Sequence, residues 1–535
     1  MKIRILLFSA LILFSCKSEW QKELSDDTSA ICVKDVEYKV LDSKYIDVQE
    51  LWKPFEKYWE DFTEEDYNSL KPLIIEQDIP TLQNHISAGD LSYENLTLFY
   101  LYRIKKFDRL NELSLNSVIA LNPNVVEEAK KVDLTQFVVA PHPIFGMPIL
   151  LKDNINASGM PTTAGAIAMA NNNTNDAFIV KQLKVNGALI LGKTNLSEWA
   201  YFFCGECPSG YSAVGGQTLN PYGRKIMDTG GSSSGSGVAA ATNFAVGTVG
   251  SETSGSILSP ASQNSVVGLK PTVGLLSRTG IVPISSTLDT PGPITRNVID
   301  NAILLDAMKG YDNQETLSFK NEKSFLIDTN IADFKQLRFG VFKSLLEDSL
   351  YVNAVEILKE NGATIVEIDE VKVKLNGFMT LLNIDMRNDL PIYLKNQADT
   401  SLKISSVSDV IKSNKNDSVL TMPYGQALFY GIVNDNTNLS DFEQIKDSLH
   451  IKGKQFFDIP MKEHNLDAIL SINNYHASEA AVAIYPAITV PMGYTKDGKP
   501  EGLTFISPNG EQNLFEWAYR YEQVSKERKV PENYN

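Results

Sequence analysis

A serine hydroxyl attacks a carbonyl only after a base has taken its proton, so a serine-dense stretch raises the question of where that base lies. The stretch from Asp228 to Arg296 carries two such clusters, Gly230-Gly-Ser-Ser-Ser-Gly-Ser-Gly237 and Gly250-Ser-Glu-Thr-Ser-Gly-Ser256. Three chemistries compete for them. A phosphate loop needs a lysine to hold charge, and the first cluster has none. Its Gly235 and Gly237 match a dinucleotide fingerprint only loosely, because a strand should precede it and the polar Arg224-Lys-Ile-Met-Asp-Thr229 stands there instead. Gly231 to Gly235 also matches the G-x-S-x-G elbow, which makes Ser233 the nucleophile and needs a downstream histidine such as His450, His464 or His476, but again wants that strand. The third chemistry uses a lysine as base. Lysine serves only when neutral, and burial or a cationic neighbour is what depresses its pKa. Lys152 closes the apolar run Pro148-Ile-Leu-Leu, so its amine enters a site flanked by core.

Cysteine offers little further chemistry. Cys204 and Cys207 form a C-x-x-C followed by Pro208-Ser-Gly210, which reads as a loop and not as a redox motif opening a helix. Zinc would need a second pair or histidines at ligand spacing, and the five histidines are scattered, so no metal is expected. A local disulfide, two inert thiols and a chemical role all remain open.

The elements that must position these residues change character along the chain. Residues from about 46 to 135 read as helical, with Ser92 as a cap ahead of Leu96, Phe99, Leu101, Ile104 and Phe107. From about Phe145 short apolar runs alternate with glycine turns. Strands are expected at 147–152, 188–191, 245–249, 337–342 and 364–367, with a tightly packed helix of small residues over 235–245. The helical run holding Val352, Val355 and Leu358 between two strands implies a right-handed crossover and parallel pairing. The fold class is therefore α/β, one large domain with a mixed β-sheet sandwiched by helices. At 535 residues, 43% apolar and 21% charged, the chain can bury its core without staples. Acidic residues outnumber basic ones by 65 to 49, and the net charge of −16 disfavours a nucleic-acid partner.

The first residues read as an address. Lys2 and Arg4 precede an apolar run from Ile5 to Phe14 of signal-peptide length, and Leu13-Phe-Ser-Cys16 resembles a bacterial lipobox. The reading is a signal peptide over 1–15, lipidation of Cys16, and a polar tether to about residue 45. Removing residues 1–15 takes the charge from −16 to −18. The expected location is the cell envelope, with a membrane contact made through the lipid anchor.

Taken together, the motifs resemble the amidase signature family. They are Gly146-Met-Pro-Ile-Leu-Leu-Lys152-Asp-Asn, Leu191-Gly-Lys-Thr-Asn-Leu-Ser-Glu-Trp-Ala200, the two serine clusters, Gly268-Leu-Lys-Pro-Thr-Val-Gly, Asp289-Thr-Pro-Gly-Pro, Tyr485-Pro-Ala-Ile-Thr-Val-Pro and Gly502-Leu-Thr-Phe-Ile. The serine clusters are closer to bacterial peptide amidases than to tRNA-linked amidotransferase subunits. The likeness divides 46–535 into a signature core of about 80–310, a divergent middle of about 315–455 and a return to the core over about 456–530. It implies a catalytic set of Ser256 as nucleophile, Ser232 as a bridging serine after a cis peptide bond, and Lys152 as base. It also implies an oxyanion hole from the backbone N–H groups of Thr253, Ser254, Gly255 and Ser256, no metal or organic cofactor, and a small-molecule or peptide amide as substrate. Ser254 and Leu258 stand where the family more often has glycine and arginine. Two other functions are weighed against it: a catalytically decayed binding lipoprotein, which the intact Lys152, Ser232 and Ser256 oppose, and an amidotransferase-type subunit, which the signal peptide and charge oppose.

Overall fold

The computed structural model describes residues 37–135, 141–330 and 333–535, all within one compact unit. The signal peptide and Cys16 lie outside the described residues. Among the described residues thirteen strands occur in chain order: β1 Val118–Leu121, β2 Pro148–Lys152, β3 Leu189–Thr194, β4 Tyr211–Ser212, β5 Gly216–Gln217, β6 Gly247–Glu252, β7 Val267–Lys270, β8 Thr290–Thr295, β9 Arg338–Phe342, β10 Thr364–Ile368, β11 Ala468–Ile472, β12 Ala487–Tyr494 and β13 Pro500–Ile506. All but the β4–β5 hairpin join one sheet in the order β1-β3-β2-β6-β8-β7-β12-β13-β11-β9-β10. The five strands expected from the sequence are β2, β3, β6, β9 and β10. β9 and β10 pair in parallel across the helix Ser349–Glu360, as the strand-helix-strand pattern implies.

β2 lies between β3 and β6 and runs parallel to both. Parallel strands end on the same side, and in open α/β sheets that side carries the ligand site. The last residue of β2 is Lys152, and the last two of β6 are Ser251 and Glu252. Every residue of both strands is buried, which their continuous apolar and small-residue composition permits.

The helix of small residues spans Ser234–Ala241, and all eight residues are buried. Its backbone is pressed so close to its neighbours that a Cβ at Gly235 would lie 2.5 Å from the carbonyl oxygens of Asn195 and Ser117. It ends before residue 245 because Thr242 Oγ1 donates to Val238 O and Asn243 adopts a φ of +56°, turning the chain into β6.

The region 46–135 is not wholly helical. Ser92 caps the helix Tyr93–Phe107 as expected, its Oγ accepting from Asn95 N at 3.0 Å, but Val118–Leu121 is a strand, antiparallel to β3. A four-residue apolar run fits either element, and β1 is decided by the open edge of β3 beside it. Within the middle region, the helices Phe378–Asn396, Val407–Asn414, Ala427–Asn434 and Leu439–His464 build a second apolar core, separate from that of the sheet. Trp199, Phe203, Cys204, Cys207 and Tyr211 contribute to it from the other side. Cys204 and Cys207 are joined by a disulfide, so of the readings left open the local disulfide is the one observed. Among the described residues no helix is long and apolar enough to cross a membrane.

Candidate active site

Lys152 is fully buried at the end of β2. Its Nζ lies 2.8 Å from Ser232 Oγ, 3.0 Å from Ser251 O and 3.0 Å from Ser251 Oγ. Burial pulls its pKa down to about 7, while the carboxylates of Asp289 and Glu252 pull the other way. A neutral amine has two N–H groups and one lone pair. The two oxygens of Ser251 match the two N–H groups, which leaves the lone pair for the Ser232 proton. Asn154 Nδ2 donates to Ser251 Oγ at 2.9 Å and holds that acceptor in place. On the neighbouring residue, Asp153 pairs with the buried Lys193 of β3 at 3.1 Å and fastens the two strand ends together.

Each serine of the first cluster makes a different contact. The peptide bond from Gly231 to Ser232 is cis, and Ser232 O accepts from Ser197 N at 3.0 Å. A Cβ at residue 231 would lie 2.7 Å from Ser197 Oγ and would push that hydroxyl off Gly210 N, from which it accepts. Ser233 Oγ donates to Ser251 O at 3.0 Å and accepts from Ser251 N at 3.2 Å. Ser234 Oγ donates to Gly230 O. Ser233 thus staples the helix start to β6, a structural role.

Ser256 is 8% exposed, and its carbonyl accepts from Ser233 N at 3.2 Å, which sets it beside the Ser232 turn. Among the described residues its hydroxyl makes no hydrogen bond, including none to Ser232. Catalytic hydrogen bonds are commonly long before substrate binds and tighten in the complex. The N–H groups of Thr253, Ser254, Gly255 and Ser256 also find no acceptor among the described residues. The next two do: Ile257 N and Leu258 N both donate to Glu252 Oε2, at 2.7 and 3.0 Å. Glu252 therefore closes the loop back on β6 and leaves a run of four free donors, the requirement for stabilising an oxyanion. Gly255 makes the turn with a φ of +85°. Thr253 Oγ1 donates to Asp289 Oδ1 at 2.5 Å, and Ser254 Oγ lies 3.1 Å from Ser478 Oγ.

The histidines are engaged elsewhere. His476 packs against Phe342 and Phe456, shares a 2.7 Å hydrogen bond with Ser471 Oγ, and is driven by burial down to about 4. His450 Nδ1 lies 2.9 Å from Val482 O, and His464 ends a helix. No strand precedes Gly231 between β5 and the helix Ser234–Ala241, so the serine–histidine elbow has neither its strand nor its base. No three metal-ligating side chains cluster among the described residues. Ser251, Asn154 and Glu252 were not singled out from the sequence. Their one signal is position: each sits within two residues of a strand end that carries a candidate residue or inside a quoted motif.

The family model described as Amidase matches residues 95–471. A probable amidase of Arabidopsis thaliana is 34% identical over 464 residues, covering 82% of this chain and 88% of the relative. Among solved structures, an amidase family protein from Bacillus anthracis superposes with a TM-score of 0.87 at 36% identity, over 92% of this chain and all of the other. The native peptide amidase of Stenotrophomonas maltophilia gives 0.79 at 36% identity, over 85% of this chain and 98% of that one.

Proposed function

This chain belongs to the amidase family and hydrolyses amides, and from that premise we propose that it does so through a serine acyl-enzyme built on Ser256, Ser232 and Lys152. The observation that carries the proposal is the buried Lys152 amine, held 3.0 Å from both oxygens of Ser251 and 2.8 Å from Ser232 Oγ, so that its neutral form can turn its lone pair to the Ser232 proton. Lys152 accepts the Ser232 proton as Ser232 takes the proton of Ser256. The Ser256 oxygen then forms a bond to the amide carbon, and the carbonyl oxygen becomes an oxyanion facing the free N–H groups of residues 253–256. When the C–N bond breaks, the proton held at Lys152 returns through Ser232 to the departing ammonia or amine. Water attacks the ester by the same relay run again, releasing acid and Ser256.

Ser256→Ala is expected to abolish turnover and labelling by a fluorophosphonate probe. Ser232→Ala and Lys152→Ala keep the nucleophile and are expected to lower kcat by several orders of magnitude. Ser233→Ala is expected to retain triad chemistry, because its hydroxyl serves the β6 contact. Near-normal activity in Lys152→Ala would overturn the proposal. The substrate is a carboxylic or peptide amide, and the likeness to peptide amidases supports the peptide class. We also infer a lipid anchor at Cys16 and work in the cell envelope. The support is the charged, apolar and lipobox order of residues 1–16.

A further inference from the structure

The cavity beside the oxyanion loop is walled by Asn154, Ser251, Thr253 and Asp289. It shares Arg278, Ile281 and Asp289 with a groove of about 290 Å³ that Asp389 also lines. The hydrogen bonds to Asp289, Asp385 and Asp389 come from neutral donors. Asp289 accepts from Thr253 Oγ1, Ile284 N and Ser285 N. Asp389 accepts from Ser286 N at 2.6 Å, and Asp385 beside it accepts from Ser285 Oγ and Thr287 N. The nearby cations are committed. Arg278 grips Glu315 with Nε at 3.0 Å and Nη2 at 2.6 Å and gives its remaining nitrogen to Ser286 O. Lys446, whose charge acts on Asp385, lies 3.4 Å from Glu443, and Lys152 is buried with its pKa lowered. Burial raises the pKa of Asp289 against the opposing pull of Arg278, and burial together with the charge of Asp385 raises that of Asp389 to about 6.

A separate observation points the same way. Asn154 is 2% exposed and lines the cavity; its Nδ2 is used by Ser251, yet its buried Oδ1 accepts no hydrogen bond. A buried acceptor without a donor is costly and uncommon. Apart from the free Thr253 N–H, which belongs to the oxyanion loop, the acceptors here are Asn154 Oδ1 and the Asp289 carboxylate in the cavity and the Asp389 carboxylate in the adjoining groove. A ligand group with N–H donors and positive charge suits these acceptors. We propose that the acyl part of the amide substrate carries a protonated amine or a guanidinium, bound against Asp289 and Asp389 with an N–H to Asn154 Oδ1. The inference rests on the amide-hydrolase reading and adds to it the class of acyl group.

The test is calorimetric binding to Ser256→Ala, which traps the uncleaved amide. The probes are N-acetyl-lysinamide and norleucinamide, each cationic, and N-acetyl-norleucinamide, neutral and nearly the same shape. At least one cationic amide is expected to bind about tenfold or more tighter than the neutral one, with the preference shrinking in 0.5 M salt as screening weakens the charge contact. Adding Asp389→Asn to that variant should cut the cationic-to-neutral ratio several-fold. Equal binding of all three, or a preference insensitive to salt and to Asp389→Asn, overturns the inference. The salt series uses an unaltered acidic site, so it decides the matter even if Asp389→Asn folds poorly. Parallel turnover by the unsubstituted protein separates the two readings: hydrolysis without charge preference removes only this inference, and binding without hydrolysis of any amide removes the amidase mechanism.

Discussion

A lysine acts as a base only in the fraction of molecules where it has lost its proton, so the state of Lys152 sets the pH profile. Its pKa is lowered to about 7 by burial, and the deprotonated form is the active one. The sign follows: kcat/KM is expected to rise about tenfold per pH unit below about 7 and to level off above it. An ordinary exposed lysine would keep the rate rising toward pH 10. A profile that is flat across pH 5–8 would place the base elsewhere, and so would one that falls. Ser232 and Ser233 make the same point about position. Adjacent hydroxyls of identical chemistry face different partners, Lys152 for one and the Ser251 backbone for the other.

At the scale of an element, the loop after β6 owes its four free N–H groups to one carboxylate. Glu252 Oε2 takes the two N–H groups that follow, while its Oε1 accepts no hydrogen bond and its charge acts on the buried Lys270. Glu252→Ala should release the loop. Losing aligned oxyanion donors typically costs about 3–4 kcal/mol, so kcat is expected to fall on the order of a hundredfold or more, with KM changed far less. Glu252→Gln retains an acceptor oxygen and should recover much of the loss. A matching rise in KM with kcat preserved would mean that Glu252 serves binding. The C-x-x-C loop is a second case. The disulfide joins residues three apart inside the apolar core shared with the middle helices. Replacing both cysteines with serine should lower stability by about 2 kcal/mol from loop entropy alone, read as a drop in Tm, and leave kcat of the folded protein largely intact. Loss of activity without loss of stability would give the pair a chemical role.

For the whole molecule, the charge and the first residues make one joint prediction. A mature chain at −18 would gain no electrostatic attraction from anionic lipid, so its membrane association would depend on acyl chains at Cys16. Cys16→Ala is expected to abolish lipid labelling and move the protein to the soluble fraction while its amidase activity persists. Unchanged partitioning would remove the anchor.

The sequence alone determined the amidase class through the resemblance of its motifs to the amidase signature family, which also implies the catalytic set. Serine needs a base, a lysine at the end of an apolar run can be one, and the 24 residues from Ser232 to Ser256 span a helix and a strand. It also located β2, β3, β6, β9 and β10 from their short apolar runs, but not β8, β7, β12 and β13 at the middle of the sheet. It did not reach β1, because four apolar residues carry no period and only the exposed edge of β3 decides their state. Nor could it single out Ser251, Asn154 or Glu252, which work through contacts with residues far away in the chain or through the direction in which a buried side chain turns. Which of three consecutive serines meets Lys152, and that Asn154 beside them keeps a buried acceptor without a donor, follow from packing: a buried polar group must find its partner in three dimensions, and linear spacing does not record where that partner is.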